Sequence, residues 1–209
     1  MTDSPSQPTG TVPKPDSERG RIAPQKLAHI VFKTSRYEAM VTWYRTVFEA
    51  EVMHASPMAT FLTYDDEHHR IAIANMPGLA DAPFQSAGME HCAFTYASLD
   101  DLFATHERLA AENIHPYWTI NHGPTLSMYY RDPDNTQVEL QIDILETNEA
   151  VNEWFARSDF DTNPIGVKFD PDDLIRRHRA GEPAETLLAR ARIDPSEVMA
   201  QFPPPPAQT

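Results

Sequence analysis

The chain has 209 residues, enough for one ordinary domain or two small modules around a buried core. Its 31 acidic against 17 basic side chains give a formal charge of −14, which opposes approach to phosphate backbones and anionic lipid surfaces and excludes nucleic acid as an expected partner. The single cysteine, Cys92, excludes an internal disulfide, and no stretch approaches the roughly 18 continuous apolar residues of a membrane span. With no basic head and apolar core at the N-terminus, a cytoplasmic protein without a membrane partner is expected.

Residues 1–24 are rich in Pro, Ser, Thr and charge and carry no apolar periodicity. Disorder is expected there and at Pro203-Pro204-Pro205-Pro206, with docking of the N-terminal arm across a partner subunit as the alternative.

Between the ends lies an internal repeat. An offset of 62 positions brings Ala28-His29-Ile30-Val31-Phe32 over Glu90-His91-Cys92-Ala93-Phe94, each a short apolar run with strand character. Helix starts follow in both copies: Ser35-x-x-Glu38 reads as a capping box and Ser98-x-x-Asp101 as its acidic variant, leading into helices to about Glu49 and Asn113. Strand-like segments come next, Glu51 to Met53, Thr60 to Tyr64 and Arg70 to Asn75 in the first copy. The second offers Tyr117 to Asn121, Leu126 to Tyr130 and Gln137 to Asp143.

Each copy is therefore β-α-β-β-β, and the expected fold class is α+β, two tandem βαβββ modules at residues 25–86 and 87–145. A unit of this size leaves one sheet face uncovered, so the two are expected to share a concave, metal-containing cup. Residues 146–209 are expected to form a helical extension and a Pro-rich tail, with helices over Glu149 to Arg157, Pro171 to Arg179 and Glu182 to Arg192. Phe155, Phe160, Ile165, Val167 and Phe169 are too apolar for a solvated tail; they either roof the pocket or extend the core.

Strand alternation puts His29 on the face of Val31, His91 on that of Ala93, and Glu139 on that of Gln137 and Gln141. Two imidazoles and one carboxylate on one side of an ion form the facial set of non-haem Fe(II) oxygenases, whose remaining positions stay open for substrate and dioxygen. A run follows in which Ile120-x-His122 precedes Met128-Tyr129, then Asp132-Pro133, Asn135 and Glu139. Another run reads His68-His69-Arg70-Ile71-Ala72-Ile73.

On these residues the chain resembles the vicinal oxygen chelate superfamily and, within it, the type I extradiol ring-cleavage dioxygenases, over roughly residues 25–145. The resemblance implies metal ligands at His29, His91 and Glu139, an acid-base histidine at His69, and His122 and Tyr129 as donors to charge on the ring oxygens. It also implies Fe(II), with Mn(II) as the alternative ion, and a catecholic substrate and dioxygen as partners. Asn135 stands where the family has glycine, a turn position with positive φ that Asn accepts at modest cost.

Val31 and Phe61 are expected as apolar walls for the ring, and residues 76–87 as a loop at the mouth. Tyr130 is expected to pack, Cys92 to lie buried on the face opposite His91, and the chain to form a homo-oligomer. Rival readings are a metal-dependent isomerase or lyase of the glyoxalase type and a non-catalytic small-molecule binder. The stretch Arg70-Ile71-Ala72-Ile73-Ala74 lacks the mid-strand carboxylate that an isomerase-type site would use as a fourth ligand.

Overall fold

The computed structural model describes residue 20 and residues 22–81 and 87–203; Pro204 to Pro206 of the proline run and most of the N-terminal arm lie outside these residues, as do positions 82–86 of the expected mouth loop. The first module is β1 (Ile30–Thr34), α1 (Tyr37–Phe48), β2 (Glu51–Ala55), β3 (Ala59–Thr63) and β4 (Ile71–Asn75). These strands form a sheet in the order β1-β4-β3-β2, with β1 parallel to β4. The second module repeats the plan with β5 (His91–Thr95), α2 (Leu99–Ala111), β6 (Trp118–Asn121), β7 (Thr125–Arg131) and β8 (Gln137–Asp143). Its sheet runs β5-β8-β7-β6, extended at the β6 edge by β9 (Val167–Lys168).

The helices form where apolar spacing and end chemistry agree. On α1, Met40, Trp43, Tyr44 and Val47 make one buried stripe, and Glu49 closes the helix in the left-handed region at φ 49°. Ser98 caps α2 as the sequence predicts, accepting from the Asp101 N–H at 3.1 Å. Ser35 does not cap α1: the helix begins after Arg36, without a side-chain cap, because Thr34 Oγ1 takes the Arg36 N–H at 2.8 Å and forms the turn instead.

One apolar cluster spans both modules. Phe32, Leu62, Ile71 and Ile73 from the first sheet and Cys92, Met128, Tyr130, Val138 and Leu140 from the second enclose α1 and α2. Across the join, Arg108 donates to the carbonyls of Thr46 and Val47, and the Phe48 and Phe94 rings lie 4.4 Å apart. The residues of opposite strand parity, which include the candidate ligands, are turned away from this cluster.

The C-terminal extension contains α3 (Asn148–Arg157), β9, α4 (Pro171–Arg179) and α5 (Ala184–Leu188), then a 3-10 turn at Pro195–Gln201. Leu174, Ile175 and Leu187 enter the core, and α4 is tied to α2 by His178 to Asp100 at 2.8 Å and Arg179 to Glu107 at 2.6 Å. The third helix is shorter than its sequence suggests, since the chain turns extended at Ala189 and Arg190 points inward. Phe169 packs on the core, whereas Phe155 clusters with Trp154 and Phe160 and stays partly exposed. No helix among the described residues is long and apolar enough to cross a membrane.

Candidate active site

β8 lies between β5 and β7, so a residue in its middle is flanked on both sides. Register sets Ala93 and Tyr129 beside Glu139, and alternation turns all three away from the core. Glu139 is 4% exposed. Its Oε2 lies 3.0 Å from His91 Nε2, and the hydroxyls of Ser127 and Tyr129 also donate to the carboxylate. Burial works to raise its pKa, but the three hydrogen bonds outweigh that and hold it below the usual carboxylate range. The hydrogen bond to Glu139 in turn raises His91.

The hydroxyl of Tyr129 is also 3.0 Å from His122 Nε2. Burial, then the charge on Glu139, pushes this phenol well above its ordinary value. His122 Nδ1 meets the carbonyl of Ile165, which only accepts, so Nδ1 carries the hydrogen, and the bare Nε2 of the neutral ring competes with Glu139 for the one hydrogen of the Tyr129 hydroxyl. Burial lowers the His122 pKa and favours that neutral form, against the pull of the Ile165 carbonyl. The result is a chain of contacts, His122 to Tyr129 to Glu139 to His91, along one sheet face.

The other candidates stand on the first sheet. His29 lies just before β1, exposed, with its ring stacked on His69 at 4.4 Å between centroids. His69 lies just before β4, edge-on to Phe61 at 5.0 Å, and its pKa is lowered by burial and then by the neighbouring His29 and His68. Val31 is 57% exposed and Phe61 half-buried. On β4 the residues of this face are Ala72 and Ala74.

The predicted residues thus fall into two groups, His29, Val31, Phe61 and His69 on one sheet and His91, His122, Tyr129 and Glu139 on the other. Among the described residues no three His, Cys, Asp or Glu side chains within one chain gather closely enough to hold an ion. Asn135 takes φ 63°, as its place in the motif requires, and Cys92 and Tyr130 are buried on the opposite side.

Sequence reading missed three residues here. Trp118 lies over Tyr129 at 4.7 Å, and Ser127 bonds Glu139; both share the Tyr129 face by register and were accessible from alternation. Arg190, with its side chain 5% exposed, donates to the carbonyl of Asn163 at 2.7 Å and lies 3.5 Å from that of His122. Nothing in the local pattern announces an arginine that reaches the site from so far along the chain.

The family model described as the Glyoxalase/Bleomycin resistance protein/Dioxygenase superfamily matches residues 26–140. Two curated relatives come from Rhodococcus globerulus. Biphenyl-2,3-diol 1,2-dioxygenase 2 is 40% identical over 170 residues, 81% of this chain and 90% of the relative, and biphenyl-2,3-diol 1,2-dioxygenase 3 is 39% identical over 168 residues, 79% and 88%. A glyoxylase/bleomycin resistance protein/dioxygenase domain from Frankia sp. EAN1pec aligns at 18% identity and TM-score 0.49, over 58% of this chain and 99% of that one. The chain belongs to the Glyoxalase/Bleomycin resistance protein/Dioxygenase superfamily, among the kin of its extradiol ring-cleaving dioxygenases.

Proposed function

We propose that this protein is an Fe(II)-dependent extradiol dioxygenase that uses dioxygen to open a catechol-type ring beside its two hydroxyls, with Mn(II) as the alternative ion. The relatives are named for a 2,3-diol attacked at the 1,2 bond, outside the hydroxyl pair. We extend that class of substrate to this chain, without committing to one diol. The buried thiol of Cys92 suits the reducing cytoplasm.

The observation that carries this reading is the contact of the part-exposed His91 with the buried Glu139. His29, His91 and Glu139 would hold the ion, two imidazoles and a carboxylate that leave its other side open. The 3.0 Å between His91 Nε2 and Glu139 Oε2 suits two adjacent ligands on an ion at about 2.1 Å. When bound, a ferrous ion supplies the one-electron chemistry that lets dioxygen react with an aromatic diol.

The chain's own residues supply the rest. His69, neutral, takes the proton of a substrate hydroxyl, while Phe61 and Val31 offer apolar walls to the ring. Tyr129 keeps its hydrogen and directs its O–H at charge building on a ring oxygen, and His122, when protonated at Nε2 from solvent, is a second donor there. Ala72 and Ala74 on β4 supply no carboxylate, which favours an ion with open positions over the isomerase reading.

Protein loaded anaerobically with Fe(II), then mixed with mono- and bicyclic catechols and air, is expected to consume dioxygen and form a yellow ring-fission product. No turnover across that series would overturn the assignment.

A further inference from the structure

Contacts from the segment after β8 converge on one residue, His122. Asn163 is 1% exposed and closes a turn with its own side chain. Its Oδ1 accepts from the N–H groups of Ile165 at 3.2 Å and Gly166 at 2.9 Å, and its Nδ2 donates to the Gly166 carbonyl at 3.0 Å. That turn presents the Ile165 carbonyl to Nδ1 of His122. It comes this close because Gly166, at φ 122°, has no Cβ; one there would lie 2.3 Å from the Asn121 carbonyl oxygen and 3.0 Å from the His122 Cα. Directly after the turn, Val167 pairs with Asn121, whose side chain donates to the Leu188 carbonyl at 2.9 Å.

Arg190 fastens the turn from behind. It donates to the Asn163 carbonyl at 2.7 Å, and it lies 3.5 Å from the His122 carbonyl and 3.4 Å from Asp159 Oδ1. Its buried guanidinium stands over the Trp154 ring at 5.4 Å, and its Nε finds no hydrogen-bond partner among the described residues. A buried cation with an unused donor costs stability, so packing alone does not account for it. Its position bridges the chain at Asn163 to the chain at His122, which fixes the Ile165 carbonyl relative to the imidazole it touches.

A neutral imidazole carries its hydrogen on either nitrogen, and the partner of one nitrogen decides which. Here the hydrogen rests on Nδ1, and Nε2, the atom 3.0 Å from the Tyr129 hydroxyl, is bare. A bare Nε2 can pick up a proton and return it on the substrate side, whereas a ring already carrying its hydrogen on Nε2 takes none up there. We infer that the C-terminal segment is a positioning device for the proposed reaction, with Asn163 and Arg190 as positioning residues that hold the His122 tautomer through the Ile165 carbonyl. The inference rests on the dioxygenase reading for what His122 does, and adds what readies His122 to do it.

The test is long-range proton–nitrogen correlation NMR on full-length, metal-free protein with isotope-labelled histidine, at a pH well above the ordinary histidine pKa. The His122 ring is assigned by its loss in His122→Gln. Wild type is expected to carry the hydrogen on Nδ1. In Asn163→Ala and in Arg190→Met the ring is expected to become a mixture with the Nε2–H form. In the same variants loaded with Fe(II), kcat toward a catechol should fall about 10- to 100-fold with KM and iron content unchanged, the usual loss when a bond that orients a site histidine is removed. Arg190→Lys keeps a donor for the Asn163 carbonyl and should return both readings toward wild type. Circular dichroism checks each fold, and the wild-type tautomer decides by itself should both variants unfold. A wild-type hydrogen on Nε2, or a folded variant that keeps either the Nδ1 hydrogen or the full rate, overturns the inference and leaves the dioxygenase reading standing. A wild type with the Nδ1 hydrogen but no turnover of any catechol overturns the dioxygenase reading, and with it the part of His122 in ring opening.

Discussion

The hydroxyl of Tyr44, on α1 of the first module, donates to Oδ2 of Asp132 in the β7–β8 turn of the second, at 3.1 Å, with both residues buried. It is one of few polar bonds joining the two modules inside their common core. Tyr44→Phe removes the donor and keeps the ring, so a loss of about 1–2 kcal/mol is expected. Urea unfolding should remain a single transition, because one apolar cluster serves both modules. Two resolved transitions would contradict that shared core.

Asp132 also gives the stability a pH signature. Burial raises its pKa above 3.8, against the bonds from the Thr136 and Asp134 N–H groups and from Tyr44. The folded state therefore holds this proton more tightly than the unfolded chain does. The stabilisation is fully present below 3.8 and is lost as pH rises through the folded value. Asp132→Asn cannot ionise, so the wild-type minus variant difference in unfolding free energy should fall across that acid window and then level off.

His69→Ala should keep the ion and fold normally while turnover falls about 100- to 10,000-fold, the usual contribution of a general base. Its lowered pKa places the acid limb of the wild-type rate profile below 6.5, with activity lost as pH falls through it. A variant that retains the acid limb and full rate would assign the base elsewhere.

Tyr129→Phe removes one hydrogen bond from Glu139 and the partner of His122. Metal retention is expected to weaken by about 10- to 100-fold, as is typical when a bond supporting a ligand is lost. Competition with a chelator of known affinity measures it.

Gly123 sits at φ 105°, with the indole of Trp154 where a Cβ would project. Gly123→Ala should cost about 1–3 kcal/mol and displace Trp154 together with α3. A lower melting temperature with a shifted tryptophan emission would report both effects.

Both modules were readable in the sequence because their signals are periodic. His29 and His91 align under one offset, strand alternation gave the faces of Glu139, Tyr129 and Cys92, and Asn135 betrayed a positive φ through its place in a motif. The exceptions are contacts that no local pattern encodes. Ser35 does not cap α1, which starts after Arg36 without a side-chain cap, and Thr34 Oγ1 takes the Arg36 N–H in the turn before it. Val167–Lys168 is too short to show a period, and Arg190 enters the site only because the chain leaves helix α5 early. The separation of the ligands onto two faces depends on how α1 and α2 pack, which residue spacing within a strand does not encode.

The two residues of β9 hydrogen-bond along β6 and close what would otherwise be an open border of the second sheet. A chain truncated after residue 145 would keep every candidate catalytic side chain yet bare that border, a ready template for cross-chain strand addition. Such a fragment should accumulate as insoluble aggregate, so the C-terminal segment acts as a guard on solubility as well as a wall beside His122.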